Sequence, residues 1–138
     1  MSRDKHIERC IGEYIARYYG KVVEIGVGSN TVAARVLNNA GVDILCTDIR
    51  PTKQYGKILV LQDDICAPDL AIYENASLLY SIRPGEEMMV PLIALARRVN
   101  ADLIVYHLGF ECYGDGGEII DCGVILHRYY RQKPSSVA

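Results

Sequence analysis

The stretch Lys21-Val22-Val23-Glu24-Ile25-Gly26-Val27-Gly28-Ser29-Asn30 decides how the rest of the chain is read. Lys21 to Ile25 is a short apolar run with β-branched residues, and it predicts a strand. Gly26 and Gly28 then allow a sharp turn and let a ligand approach with no Cβ in the way. From Thr31 to Ala40 the spacing predicts a helix, with Val32, Ala33, Val36, Leu37 and Ala40 on one face. Ser29 or Asn30 can cap its start and Gly41 can end it. Val42 to Cys46 is a second strand that closes on Thr47-Asp48. Strand, glycine turn, helix and strand make a βαβ unit. Such units are nearly always right-handed, which gives a parallel pair with the turn at its carboxyl end.

Working outward, His6 to Tyr19 predicts an amphipathic helix that Gly20 can end in a left-handed cap. Lys57 to Leu61 is a third strand. Only Ile49 to Gly56 separate it from the second, fewer than the dozen residues a helical crossover needs. Either a single turn makes that connection or the third strand is an edge piece. Pro68 to Asn75 has room for a turn or two of helix, and Ala76 to Ile82 is a fourth strand stopped by Arg83-Pro84-Gly85. Glu87 to Val99 predicts a helix in which Pro91 implies a kink or a late start. A fifth strand, Asp102 to His107, leads into a glycine-rich loop over 108–117 where a further helix would be expected. Glu118 to Asp121 and Val124 to Tyr130 form a hairpin around Cys122-Gly123, and the polar tail from Arg131 to Ala138 is expected to fray. The fold class is α/β: a three-layer, Rossmann-like open sheet, mostly parallel, with an antiparallel C-terminal hairpin at one edge.

Composition bounds the function. With 138 residues, 50% of them hydrophobic, and a net charge of -2, the chain is expected to form one domain over 1–138 and cannot be disordered throughout. Its apolar runs fall far short of the ~18 residues that suggest a membrane span. The opening Met1-Ser2-Arg3-Asp4-Lys5-His6 lacks the basic-then-apolar pattern of an export leader, and an odd set of cysteines without pairing pattern fits a reducing cytoplasm, the location expected. A pI near 5.9 argues against binding nucleic acid through bulk charge, while leaving room for a local basic patch. The five cysteines, at 10, 46, 66, 112 and 122, form no CxxC and no zinc spacing, and Cys46 sits in an apolar run as a small core residue. The histidines at 6, 107 and 127 are scattered, so no metal site is expected.

The ligand expectation starts from Asp48, at the end of the second strand, 22 residues after Gly26. A carboxylate there can accept hydrogen bonds from ribose hydroxyls, which points to an adenosine-containing ligand. A dinucleotide fingerprint would carry a third glycine where Thr31 stands. The run Val22-Val23-Glu24-Ile25-Gly26-Val27-Gly28-Ser29-Asn30 instead resembles motif I of the class I S-adenosylmethionine-dependent methyltransferases, hh(D/E)hGxGxG, with Asn30 in place of the last glycine. That resemblance implies S-adenosylmethionine as cofactor, held at Gly26, Val27 and Gly28, with Glu24 near its amino-acid end. It also matches Asp48-Ile49 to the pair that holds ribose and packs on adenine, and Asp64-Ile65 to the pair beside the adenine amino group. Ser81-Ile82-Arg83-Pro84 falls where the family's motif IV faces the transferable methyl, without its usual Asn or Asp followed by Pro-Pro and an aromatic. The whole resembles a small uncharacterised archaeal group of methyltransferase-like proteins, through Tyr80-Ser81-Ile82-Arg83-Pro84 and Glu86. The likeness spans about residues 5 to 130.

The resemblance therefore implies a methyltransferase of unassigned acceptor, with Ser81, Arg83 and His107 bordering the acceptor and no residue standing out as a general base. A non-catalytic nucleotide-binding module serving a partner protein is the alternative, and an NAD-linked oxidoreductase is the weakest reading. Tyr113 can line the site from the glycine loop, Asp63 reads as a turn former, and His127, Arg128, Arg131 and Lys133 read as a solvated basic edge. With so few residues left over for acceptor recognition, a second copy or a partner protein is expected to complete that end.

Overall fold

Alternation along the central strands sorts the helices onto two sides of one sheet. In the computed structural model, which describes residues 3–134, β1 (Lys21–Ile25) turns Val22 and Glu24 to one side and Val23 and Ile25 to the other. The first side is covered by α1 (Arg3–Tyr18) and α2 (Val32–Asn39), whose Ile11, Ile15 and Leu37 pack on Val22, with Leu78 of β5 (Leu78–Ile82). The second side is covered by α4 (Met89–Val99) and the short α3 (Leu70–Tyr73), which bring Leu92, Leu95 and Tyr73 onto Val23, and Leu103 of β6 (Asp102–Tyr106). α1 and α2 meet at Gly12. A Cβ there would lie 2.8 Å from a Val36 methyl, so only glycine permits this approach.

The sheet has eight strands in the order β3-β4-β2-β1-β5-β6-β8-β7, with β2 at Asp43–Asp48, β3 at Lys53–Tyr55, β4 at Ile58–Gln62, β7 at Glu118–Asp121 and β8 at Ile125–Tyr130. From β4 to β6 every neighbouring pair is parallel, as the sequence predicts.

Several expectations need correction. The short connection 49–56 is neither a plain turn nor the sign of an edge strand at Lys57–Leu61. It contains β3, which forms the edge itself and pairs antiparallel with β4, leaving β4 between β3 and β2. The sheet therefore has antiparallel strands at both edges. Gly20 does not adopt a left-handed conformation, whereas Gly41 does, with φ 83°. Thr31, not Ser29 or Asn30, is the N-cap of α2, although the Asn30 side chain accepts a hydrogen bond from the Val32 amide at 3.1 Å. Pro91 marks a late start: a 3-10 turn over Glu86–Met88 precedes α4, so the proline falls in the first helical turn, where no amide is required. The tail is tied down as far as residue 133, because Asp102 accepts from the Gln132 amide and Asn100 from the Lys133 amide. The expected fraying from residue 135 onward lies outside the described residues. Tyr18, at the end of α1, is 64% exposed.

Candidate functional site

In an open parallel sheet a ligand crevice forms outside the strands' carboxyl ends, where the strand order reverses. Here the reversal falls between β1 and β5. The glycine turn follows β1, Asp48 ends β2, Asp63 follows β4, Arg83 follows β5 and His107 follows β6. The chain thus delivers one chemistry-bearing segment from each parallel strand to the same end of the molecule.

Gly26 and Gly28 both have positive φ, 74° and 61°. The turn is held by β2: the Gly26 and Val27 amides donate to the Thr47 carbonyl at 2.9 and 3.3 Å, and the Gly28 amide donates to Asp48 Oδ2 at 2.8 Å. These amides are therefore engaged within the protein and do not form an open cradle for a pyrophosphate. Above Gly26 opens a cleft of about 320 Å³ lined by Thr47, Asp48, Ile49, Asp63, Ile65 and Met88. A Cβ on Gly26 would meet the Met88 methyl at 3.2 Å, so the turn's lack of a side chain is what leaves this space. Ile49 is 62% exposed on one wall, and Ile65 lines the same cleft. Two branched apolar side chains lining one open cleft suit a flat, weakly polar ring.

Asp48 accepts from the backbone and Nε of Arg50 at 3.1 and 3.2 Å, besides Gly28. Partial burial alone would raise its pKa. The hydrogen bonds from Arg50 and Gly28 outweigh burial and hold it below the usual aspartate value. Asp48 is thus a fixed anion at neutral pH, and Oδ2 keeps acceptor capacity beyond its bond to Gly28.

The expected site residues divide. Gly26, Asp48, Ile49 and Ile65 come together in the cleft. Gly28 borders an adjoining cleft with Asp48 and Arg50. The Val27 side chain is in the core beneath α2. Asp64 does not line the cleft: it is exposed, and its Oδ1 accepts from the Cys66 amide at 2.9 Å. Asp63 lines it instead, fixed by the Asp69 amide at 3.0 Å and the Tyr73 hydroxyl. Glu24 is also separated from the cleft. It is 2% exposed on the α1/α2 side, where the Tyr80 hydroxyl donates to its Oε1 at 2.7 Å. Burial pushes its pKa up to about 8 against the Tyr80 bond, with Glu8 adding to the rise, so it is a neutral carboxyl at pH 7. Thr47 and Met88 were missed; their residue types carry no signal, and only the fold brings them to the rim.

Beyond the 84–89 segment lies a larger cleft, about 530 Å³, lined by Arg83, Glu86, His107, Glu111, Cys112 and Tyr113 among others. Of the three substrate-side candidates, Arg83 and His107 border it, while Ser81 is buried and donates to the Ile25 carbonyl at 2.7 Å. Arg83 has φ 54°, an unfavourable region for a side-chain-bearing residue. It is held there by Glu8 at 2.7 Å, by the Tyr106 ring 5.1 Å below its guanidinium, and by the hydrogen bond its amide donates to the Tyr106 carbonyl. His107 Nε2 lies 2.7 Å from the Tyr129 hydroxyl, which also accepts from the Tyr113 amide. Burial and the neighbouring His127 hold His107 below the ordinary histidine pKa, so it is neutral. Among the described residues there is no cluster of metal-ligating side chains, and no helix is long and apolar enough to cross a membrane.

The fold is shared with solved methyltransferases at low identity. The antibiotic-resistance methyltransferase Kmr aligns with TM-score 0.55 and 15% identity, over 87% of this chain and 91% of its own. KedS8, a sugar N-methyltransferase from Streptoalloteichus, aligns with TM-score 0.53 and 13% identity over 85% of this chain. The chain spans about half of that structure, 54%, and likewise 50% of the CcbJ methyltransferase from Streptomyces caelestis. In sequence, a UPF0146 protein of Pyrococcus horikoshii is 40% identical, covering 86% of this chain and 96% of its own. Another, from Archaeoglobus fulgidus, is 39% identical over 76% of this chain and 78% of its own. The chain shares the Rossmann-like fold of these solved methyltransferases, and the pattern of the uncharacterised protein family UPF0146 matches its residues 9–114, so the chain belongs to that family.

Proposed function

We propose that the chain binds S-adenosylmethionine at the carboxyl ends of β1, β2 and β4 and presents it to an acceptor held in the Arg83–His107 cleft. The observation that carries this reading is the cleft above Gly26, where Ile49 and Ile65 flank a space next to the ionised Asp48. The donor set fits the molecule. A carboxylate suits ribose hydroxyls, two isoleucines suit an adenine ring, and a turn with bonded amides suits a ligand that has no pyrophosphate. When bound, S-adenosylmethionine supplies a methyl group on a sulfonium, electrophilic enough to react with a nucleophile placed in line. The protein's own residues position and desolvate. Arg83, pinned by Glu8, offers a fixed positive charge at the acceptor cleft, and neutral His107 offers an imidazole whose ring is oriented by Tyr129.

A second reading, a binding module that acts with a partner protein, draws on one feature. Ser81 is bonded to the Ile25 carbonyl and Arg83 to Glu8, so the segment after β5 is occupied with structural contacts. Calorimetric titration tests the binding step that both readings share, and methylation by the isolated chain would contradict the second. S-adenosylmethionine and S-adenosylhomocysteine are expected to bind and NAD not to. Asp48→Ala is expected to weaken both by roughly 10- to 100-fold, the worth of one or two charge-assisted hydrogen bonds. Binding of NAD alone would contradict the proposal.

A further inference from the structure

Beside the cofactor cleft, two shallower clefts meet at Tyr55. One, of about 380 Å³, runs between α2 and the β3–β4 hairpin and is lined by Thr31, Arg35, Asn38, Asn39, Tyr55 and Lys57. The other, about 280 Å³, contains Arg50, Thr52 and Lys53 on the far side of the same tyrosine. Thr31, Arg35, Asn38 and Asn39 recur at helical spacing, so they form the polar stripe of α2. That stripe, on which Arg35 and Asn39 are exposed, lines one side of a cleft that Tyr55, Gly56 and Lys57 of the hairpin also line.

The charge is one-sided. The two clefts gather Arg35, Lys57, Arg50 and Lys53, and the sole carboxylate lining them is Asp48, already paired with Arg50 at 3.2 Å. Among the described residues Arg35 and Lys57 make no ion pair, and Lys53 lies over the Tyr55 ring at 4.9 Å. On a chain of net charge -2 this is a local excess. The basic cluster that the sequence itself displays is different: Arg128 and Arg131 are both bonded to Glu118, and His127 to the Gly116 carbonyl. Edge lysines that deter strand pairing would account for Lys53 on β3, but not for Arg35 on a helix or for the groove between them.

We infer that this groove binds the phosphodiester backbone of a single-stranded polynucleotide, with Arg35 and Lys57 on one phosphate group and Arg50 and Lys53 on the next. Cations spread along two adjoining clefts, with an aromatic ring between them, suit a repeating anion better than a single one. The inference does not rest on the methyl-donor reading.

The test is fluorescence anisotropy of the full chain with fluorescein-labelled twelve-nucleotide RNA and DNA single strands, between 50 and 200 mM salt. Saturable binding to both is expected. R35E/K57E is expected to weaken it at least about tenfold and to flatten the slope of log K against log salt by about 0.7, the value for one lost phosphate. R35Q/K57Q should fall in between. R97E/R98E, on exposed positions of α4, should stay within about twofold. Titration of R35E/K57E with S-adenosylhomocysteine should match the unaltered protein, which separates this proposal from the previous one. Three results would overturn it: no binding at 50 mM salt, an equal loss in R97E/R98E, or oligonucleotide binding no tighter than that of inorganic pyrophosphate.

Discussion

At Glu24 two effects oppose each other: the Tyr80 hydroxyl favours the charged carboxylate, and complete burial favours the neutral acid. Burial wins and the pKa rises to about 8, above the ordinary 4.5. The sign of the pH dependence follows. The contribution is fully present below pH 4.5 and is lost as pH rises through about 8. Glu24→Gln, neutral at every pH, is therefore expected to melt like the unaltered protein at pH 5 and higher than it at pH 9. The gap should be on the order of 4 kcal/mol. The resemblance put Glu24 beside the cofactor, but strand alternation turns it away: Ile25 lines the cleft, so its neighbour faces the other side of the sheet. Asp48 and Ile49 were legible at the cleft rim because the end of β2 is sharply marked, whereas Ile65, beyond the end of β4, was indicated only by the resemblance. Asp63 and Asp64 were not separable, since the turn after β4 sets which of two adjacent carboxylates looks inward. No sequence rule gives that phase.

Among the elements, the central βαβ unit was readable because period-2 and period-3.6 patterns meet at glycines. The β3–β4 hairpin was not. Three residues, Lys53-Gln54-Tyr55, are too few and too polar to show a strand period, and only pairing with β4 makes them one. The loop 108–117 that replaces a helix after β6 is held from outside itself. The Tyr129 hydroxyl accepts the Tyr113 amide and contacts His107, and His127 bonds the Gly116 carbonyl. Tyr129→Phe leaves the Tyr113 amide and His107 Nε2 without that partner. It is expected to cost about 1–3 kcal/mol and to speed hydrogen exchange at amides 109–116 by more than at the β1 amides, which should follow only the loss of global stability. Unchanged exchange in the loop would mean that its own glycine turns hold it.

Across the molecule, one sheet with its order reversed between β1 and β5 gathers functional groups from five strands at one end. The reversal is a property of the pairing, so the sequence showed which segments were chemically marked before the fold showed that they converge. The cleft above Gly26 and the Arg83–His107 cleft both border the 3-10 turn Glu86–Met88 with its flanking residues, so the proposed donor and acceptor would lie on either side of one short segment. The most direct measurement is a two-dimensional 1H–15N NMR titration of the uniformly labelled chain with S-adenosylhomocysteine. The account predicts saturable shifts centred on the amides of Gly26, Gly28, Asp48, Ile49, Asp63 and Ile65, with smaller ones at Met88. Saturable shifts centred elsewhere, or none at millimolar ligand, would contradict it.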